Sequence, residues 1–175
     1  MKNTNTVALG GICTALVTVF LYLSSIVPGV ELTMFALSSL FIAVMIEEKG
    51  VAAGLTVYVA AGILGFFLMA NKLGILPYAV FFGIYPAIKF YAERLGSRPA
   101  QFGVKIVSFC VMLAVTYALF MELFFGSLKD HGFPVYLALP VLAVMLFIYD
   151  YILTMVIRLY RRKIKRQKDD FKLGE

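Results

Sequence analysis

Residues 7–27 (VALGGICTALVTVFLYLSSIV) form a run of 21 residues without a charge. A helix of that length crosses the hydrocarbon core of a bilayer, whereas a soluble helix of equal length needs a polar face. Within the run, Ala8, Gly11, Ala15 and Thr18 recur at steps of three and four and share one helical stripe. The bulkier Leu16, Val19, Phe20 and Leu23 fall mostly elsewhere. Lipid tails pack as well against Leu as against Ala, so lipid does not select a small stripe. A neighbouring helix does, because small side chains let two backbones approach. The stripe is therefore expected to dock either a partner or another span of the same chain.

The rest of the chain repeats the pattern. Of its 175 residues 62% are hydrophobic and 15% charged, and the mean hydropathy is +0.91. A soluble domain has about 45–50% apolar and roughly 25% charged residues. Six apolar runs, at about 7–27, 32–46, 51–70, 75–91, 104–125 and 135–157, predict an all-α membrane protein. The expectation is one compact six-helix domain over 1–175 that includes a basic tail at 158–175. Pro28-Gly29, Glu47-Glu48-Lys49-Gly50 and Asn71-Lys72-Leu73-Gly74 supply the first turns. Ala61 and Gly65, four apart in the third run, form a second close-packing pair, and Pro86 is expected to kink the fourth helix. The start of the chain has only Lys2 as a charge and no small-residue cleavage site before a soluble domain, so 7–27 is expected to be a retained span.

Charge distribution orients the bundle. With the N-terminus in the cytoplasm, fourteen of the sixteen basic residues lie inside and only Lys72 and Lys129 outside. Cytoplasmic loops carry the Lys/Arg excess, and a five-span count would split the basic clusters between the two sides. Both termini are thus expected in the cytoplasm, and the protein in the plasma membrane. The net charge of +6 does not indicate nucleic acid, because eight basic residues lie between Arg158 and Lys172, directly after an apolar run. That is a juxtamembrane pattern, whose partners are the lipid bilayer and its anionic headgroups.

Recognisable catalytic chemistry is missing. His131 is the single histidine, which rules out a paired-His zinc site, and Cys13 and Cys110 have no metal-ligand spacing. Glu47-Glu48 lacks the basic residue that follows in paired-Glu intramembrane proteases, and Gly126-Ser127 lacks the second Gly of a serine elbow. There is no phosphate-binding GxxxxGK[ST] loop. We expect no enzyme, no cofactor and no metal.

Ionisable groups inside a membrane cost roughly 2.5–3.5 kcal/mol on insertion scales and are functional candidates by default. Asp150, in the sixth run, is expected to be either a coupling residue or a structural partner of Lys89 or Lys105, with the structural pair favoured. Glu31, Asn71, Lys72, Tyr78, Glu122 and His131 reach one outer level and could ring a substrate cavity open to the outside, although solvated loop charges would share the pattern. Interior tyrosines Tyr58, Tyr85 and Tyr117 need hydrogen-bond partners, which are helix-to-helix contacts or a small ligand.

Six short spans, internal termini and the small-xxx-small pair Gly11/Ala15 preceded by Ala8 resemble the substrate-binding (S) components of energy-coupling factor (ECF) vitamin importers. The segment ELTMFALSSLFIAVMIEEKGVAAG resembles the second-to-third span region of that family. Its turn, Glu47-Glu48-Lys49-Gly50, keeps one Gly and lacks the family's Pro. The resemblance implies the six-helix S-component bundle and a small-molecule substrate bound at the outer side. It also implies docking of Ala8, Gly11 and Ala15 on a transmembrane coupling subunit that two ATPase subunits drive. The competing expectations are a non-catalytic membrane scaffold and a stand-alone secondary transporter coupled through Asp150.

Overall fold

The computed structural model describes residues 2–27, 29–70, 72–94, 101, 103–111, 114, 144 and 146–162. These are 91% helical, with no strand among the described residues. Helix α1 (Lys2–Ile26) turns back through Gly29, whose φ of 84° suits a residue without a Cβ, into α2 (Glu31–Lys49). A single residue, Gly50, joins α2 to α3 (Val51–Leu68). Its φ of 90° lies in the region that other residues avoid, and its N–H closes α2 on the Ile46 carbonyl at 2.9 Å. Further helical residues lie at 103–111 and 146–162.

Close packing of α1, α2 and α3 follows from where the small residues stand. Gly54, Val57, Ala61 and Gly65 form one buried face of α3. A Cβ on Gly54 would lie 2.2 Å from Ile46 of α2, and a Cβ on Gly65 would lie 2.7 Å from Leu21 of α1. The expected Ala61/Gly65 pair is thus a genuine seam. From α1, Cys13, Val17 and Leu21 turn into this core, and Phe35, Ile42 and Ile46 enter it from α2. The hydroxyls buried in these helices donate to their own backbone: Ser24 to Leu21 O at 2.7 Å, Ser38 to Phe35 O at 2.7 Å and Ser39 to Ala36 O at 2.6 Å.

Among the described residues two helices, Thr4–Ile26 and Val51–Leu68, are long and apolar enough to cross a membrane. Only 22% of each is buried within the chain, so their apolar surface is turned outward. Val7, Ile12 and Val19 of α1 and Val59, Ile63 and Phe67 of α3 are among the exposed side chains. The core helix of a water-soluble domain would bury that surface, and an apolar patch of this extent in water marks an interaction or membrane site. Between the charged ends of α2 lies the apolar stretch 32–46 that the sequence marks out.

The fourth helix departs from expectation. Instead of one helix over 75–91 there are a 3-10 turn (Lys72–Ile75), a π turn (Tyr78–Phe82) and α4 (Tyr85–Ala92). Pro86 sits in the first turn of α4, where its missing N–H removes no intrahelical bond, so it starts a helix and does not kink one. The third helix also stops at Leu68, short of residue 70, because Met69 is extended.

Candidate functional site

Three groups of residues carry the functional expectations, and the structure treats them differently. The first is the stripe on α1. Ala8, Gly11 and Ala15 all face outward, and a Cβ built on Gly11 meets nothing within 4 Å. The face that packs inside the molecule is the opposite one, Cys13–Val17–Leu21. Thr18, the fourth member of the stripe, is buried and donates to the Thr14 carbonyl at 2.8 Å.

The second group is the outer-level set. Glu31 is exposed in the first turn of α2, where the helix dipole favours a carboxylate. Lys72 folds back on α3. Its Nζ donates to the carbonyls of Phe66 (2.6 Å), Phe67 (3.0 Å) and Met69 (3.0 Å), and it stands 5.4 Å from the Phe66 ring centre. The ammonium thus satisfies the carbonyls that the end of a helix leaves open. Tyr78 is fully buried, and its hydroxyl donates to the Tyr58 carbonyl at 3.1 Å. Tyr78 lines an open groove of about 410 Å³ together with Tyr58, Gly62, Ile63, Phe66 and Ala79, and neither Glu31 nor Lys72 is among its walls. Asn71, Glu122 and His131 lie outside the described residues. Of the described members, Lys72 and Tyr78 are thus each bonded to backbone carbonyls and Glu31 is exposed.

The third group is centred on Asp150. Its carboxylate accepts from Tyr85 Oη at 2.6 Å, from Lys105 Nζ at 2.8 Å and from Lys89 Nζ. Lys89, only 1% exposed, also donates to the Asp150 carbonyl at 3.0 Å and to Thr154 Oγ1 at 2.6 Å, and lies 3.7 Å from Glu93. Thr154 in turn donates to the Asp150 carbonyl at 2.7 Å. The expectation of Lys89 or Lys105 as partner becomes both. Each cation faces the carboxylate, and Lys89 has an acceptor for each of its donors, which is the condition under which a buried charge is tolerated. The cluster ties α4, 103–111 and 146–162 together. Tyr85 and Lys89 are four apart, as are Asp150 and Thr154, so each pair shares a helix face. That spacing is the sequence signal by which Tyr85 and Thr154 could have been added to the set.

An aromatic layer packs against this cluster. Phe81, Tyr85 and Phe109 stack nearly parallel, at 5.5 Å for Phe81–Tyr85 and 5.1 Å for Tyr85–Phe109. Tyr149 joins them and donates to Ser39 Oγ of α2 at 2.7 Å. At the end of α2, Arg161 grips Glu47 with two hydrogen bonds, 2.8 and 2.6 Å, and Tyr160 donates to Glu48 at 3.2 Å. Partial burial, with the Glu48 carboxylate beside it, pushes the Tyr160 phenol up to about 12. Among the described residues no group of three or more His, Cys, Asp or Glu side chains could hold a metal ion. Comparison with known proteins finds no matching family model, no similar curated protein and no similar solved structure.

Proposed function

We propose that this chain is the membrane-embedded solute-binding subunit of an ATP-driven importer of the ECF type. It would capture a small vitamin-like molecule from the outside and work with a transmembrane coupling subunit and two ATPase subunits. The observation that carries this reading is the outward Ala8–Gly11–Ala15 face of α1. Small side chains on an uncovered helix face offer nothing to lipid and allow close approach to a partner helix. The reading uses six spans with both termini in the cytoplasm of a cell whose plasma membrane holds the protein. The Glu47–Arg161 grip supports that parity, since it needs the ends of the second and sixth spans on one side. So does the Asp150 cluster, which joins the end of the fourth span to the start of the fifth. Three donors on Asp150 support a structural role for it over a coupling role, which weighs against a stand-alone transporter.

The test is affinity purification of the chain from its native membrane, paired with a thermal-shift screen of the purified chain against vitamins and their precursors. An importer subunit co-purifies with ATPase subunits and is stabilised by one compound. Gly11→Trp abolishes the co-purification and keeps the thermal shift. Capture of other membrane proteins with no ATPase and no stabilising compound identifies a scaffold and overturns the proposal.

A further inference from the structure

The π turn Tyr78–Phe82 is held by two tyrosines in a reciprocal arrangement. The Gly83 N–H donates to the Tyr78 carbonyl at 2.8 Å, a five-residue step in place of the four-residue step of an α-helix. That leaves the Ala79 carbonyl without the donor an α-helix would supply. Tyr58 of α3 provides it, with its hydroxyl 2.8 Å from Ala79 O. Tyr78 returns the bond, its hydroxyl 3.1 Å from Tyr58 O, and the two rings lie 5.6 Å apart. Gly83 completes the clasp. A Cβ there would lie 2.2 Å from the Tyr58 ring, so the ring rests directly on the glycine backbone.

A π turn holds one residue more than an α turn. Converting it to α would rotate everything beyond it by about 100°, one residue's angle in a helix of 3.6 per turn. The residues beyond it are Tyr85 and Lys89, which both face Asp150. Phe81, inside the turn, stacks on Tyr85 with only 8° between the rings, so turn and cluster are packed as one piece. The π register therefore satisfies two distant sets of bonds at once, whereas the α register would turn Tyr85 and Lys89 from Asp150 and give the Ala79 carbonyl the Gly83 N–H in place of the Tyr58 hydroxyl.

We propose that residues 78–84 are a two-register element, held in the π form jointly by the Tyr58–Tyr78 clasp and by the Asp150 cluster. Loosening either end then loosens the other, which makes them energetically coupled sites. This inference concerns movement within the fourth helix and does not depend on which solute, if any, the chain carries.

Amide hydrogen exchange of the full-length chain in lipid nanodiscs tests it. Tyr58→Phe removes one hydroxyl and should speed exchange across 79–85 and 87–92 by about five- to tenfold, the factor for one hydrogen bond of ordinary strength. Asp150→Asn, on another helix, should speed exchange in the same 79–85 amides. The double variant should exchange at about the product of the two single factors, because one opening breaks both sets of bonds. Gly83→Ala, which displaces the Tyr58 ring without touching a hydroxyl, should reproduce the Tyr58→Phe pattern, and Lys105→Met offers a milder opening of the cluster if Asp150→Asn fails to fold. Faster exchange confined to α3 in Tyr58→Phe, wild-type exchange at 79–85 in the cluster variant, or single rate increments that merely add in the double variant would each overturn the proposal.

Discussion

Helices α1 and α3 carry the same sequence device, small residues spaced by three or four, and put it to opposite uses. On α3 the face Gly54–Ala61–Gly65 is buried, with Ile46 and Leu21 lying where larger side chains would go. On α1 the face Ala8–Gly11–Ala15 is exposed, and the space beside Gly11 is open. The seam of α3 is a fact of this chain's own packing. The face of α1 is unused surface that a partner of the right shape could occupy. Small-residue spacing by itself thus states that close approach is possible, and the rest of the fold decides from which side it is taken.

Substitutions on the two faces should separate these uses. The largest effect is expected on α3. Gly54→Leu or Gly65→Leu should lower stability by about 1–3 kcal/mol or more, the usual cost of forcing volume into a packed core. It would be read as a fall in melting temperature of the chain in detergent or nanodiscs. A variant that melts like the wild type would mean that α2 or α1 can step aside and that the seam is not tight. A smaller loss belongs to Lys72→Gln. It strips the ammonium from three carbonyls at the end of α3 and should cost about 0.3–1 kcal/mol in the same measurement. Gly11→Ala should leave the melting temperature unchanged or raise it slightly, because Ala is the better helix former by up to about 1 kcal/mol and the added methyl meets nothing. A marked drop in stability there would show that the α1 face already has a neighbour. Gly11→Leu sharpens the contrast further: it should match the wild type in stability while losing any co-purifying partner.

The first three apolar runs and the turns between the helices at Gly29 and Gly50 were legible in the sequence because they depend only on hydropathy and on local turn chemistry. The Ala61/Gly65 seam was legible for the reason just given, and the α1 face was equally visible but its direction was not. Residue spacing defines a stripe; it does not say toward which neighbour the helix is rolled. The Asp150 partners were legible because depth in the membrane limits the choice of cations to those ending neighbouring helices at the same level. For Lys72 and Tyr78 depth tells only part of the surroundings. A shared level brings side chains to the same height, and Lys72 and Tyr78 each also reach a backbone carbonyl that depth does not reveal. The π turn left only the trace of Pro77, Gly83 and Pro86 in the fourth run. A break was foreseeable from these residues, but its register is chosen by Tyr58 on another helix.

The grip of Arg161 on Glu47 joins residues 114 positions apart in the chain. By contrast, α1, α2 and α3 are consecutive and find their seams among themselves. A ribosome making this protein therefore delivers a three-helix unit with Glu47 at its edge, and the cation that Glu47 binds follows 114 residues later. The helix at 146–162 then acts as a clip on the edge of that unit, through Arg161 and Tyr160.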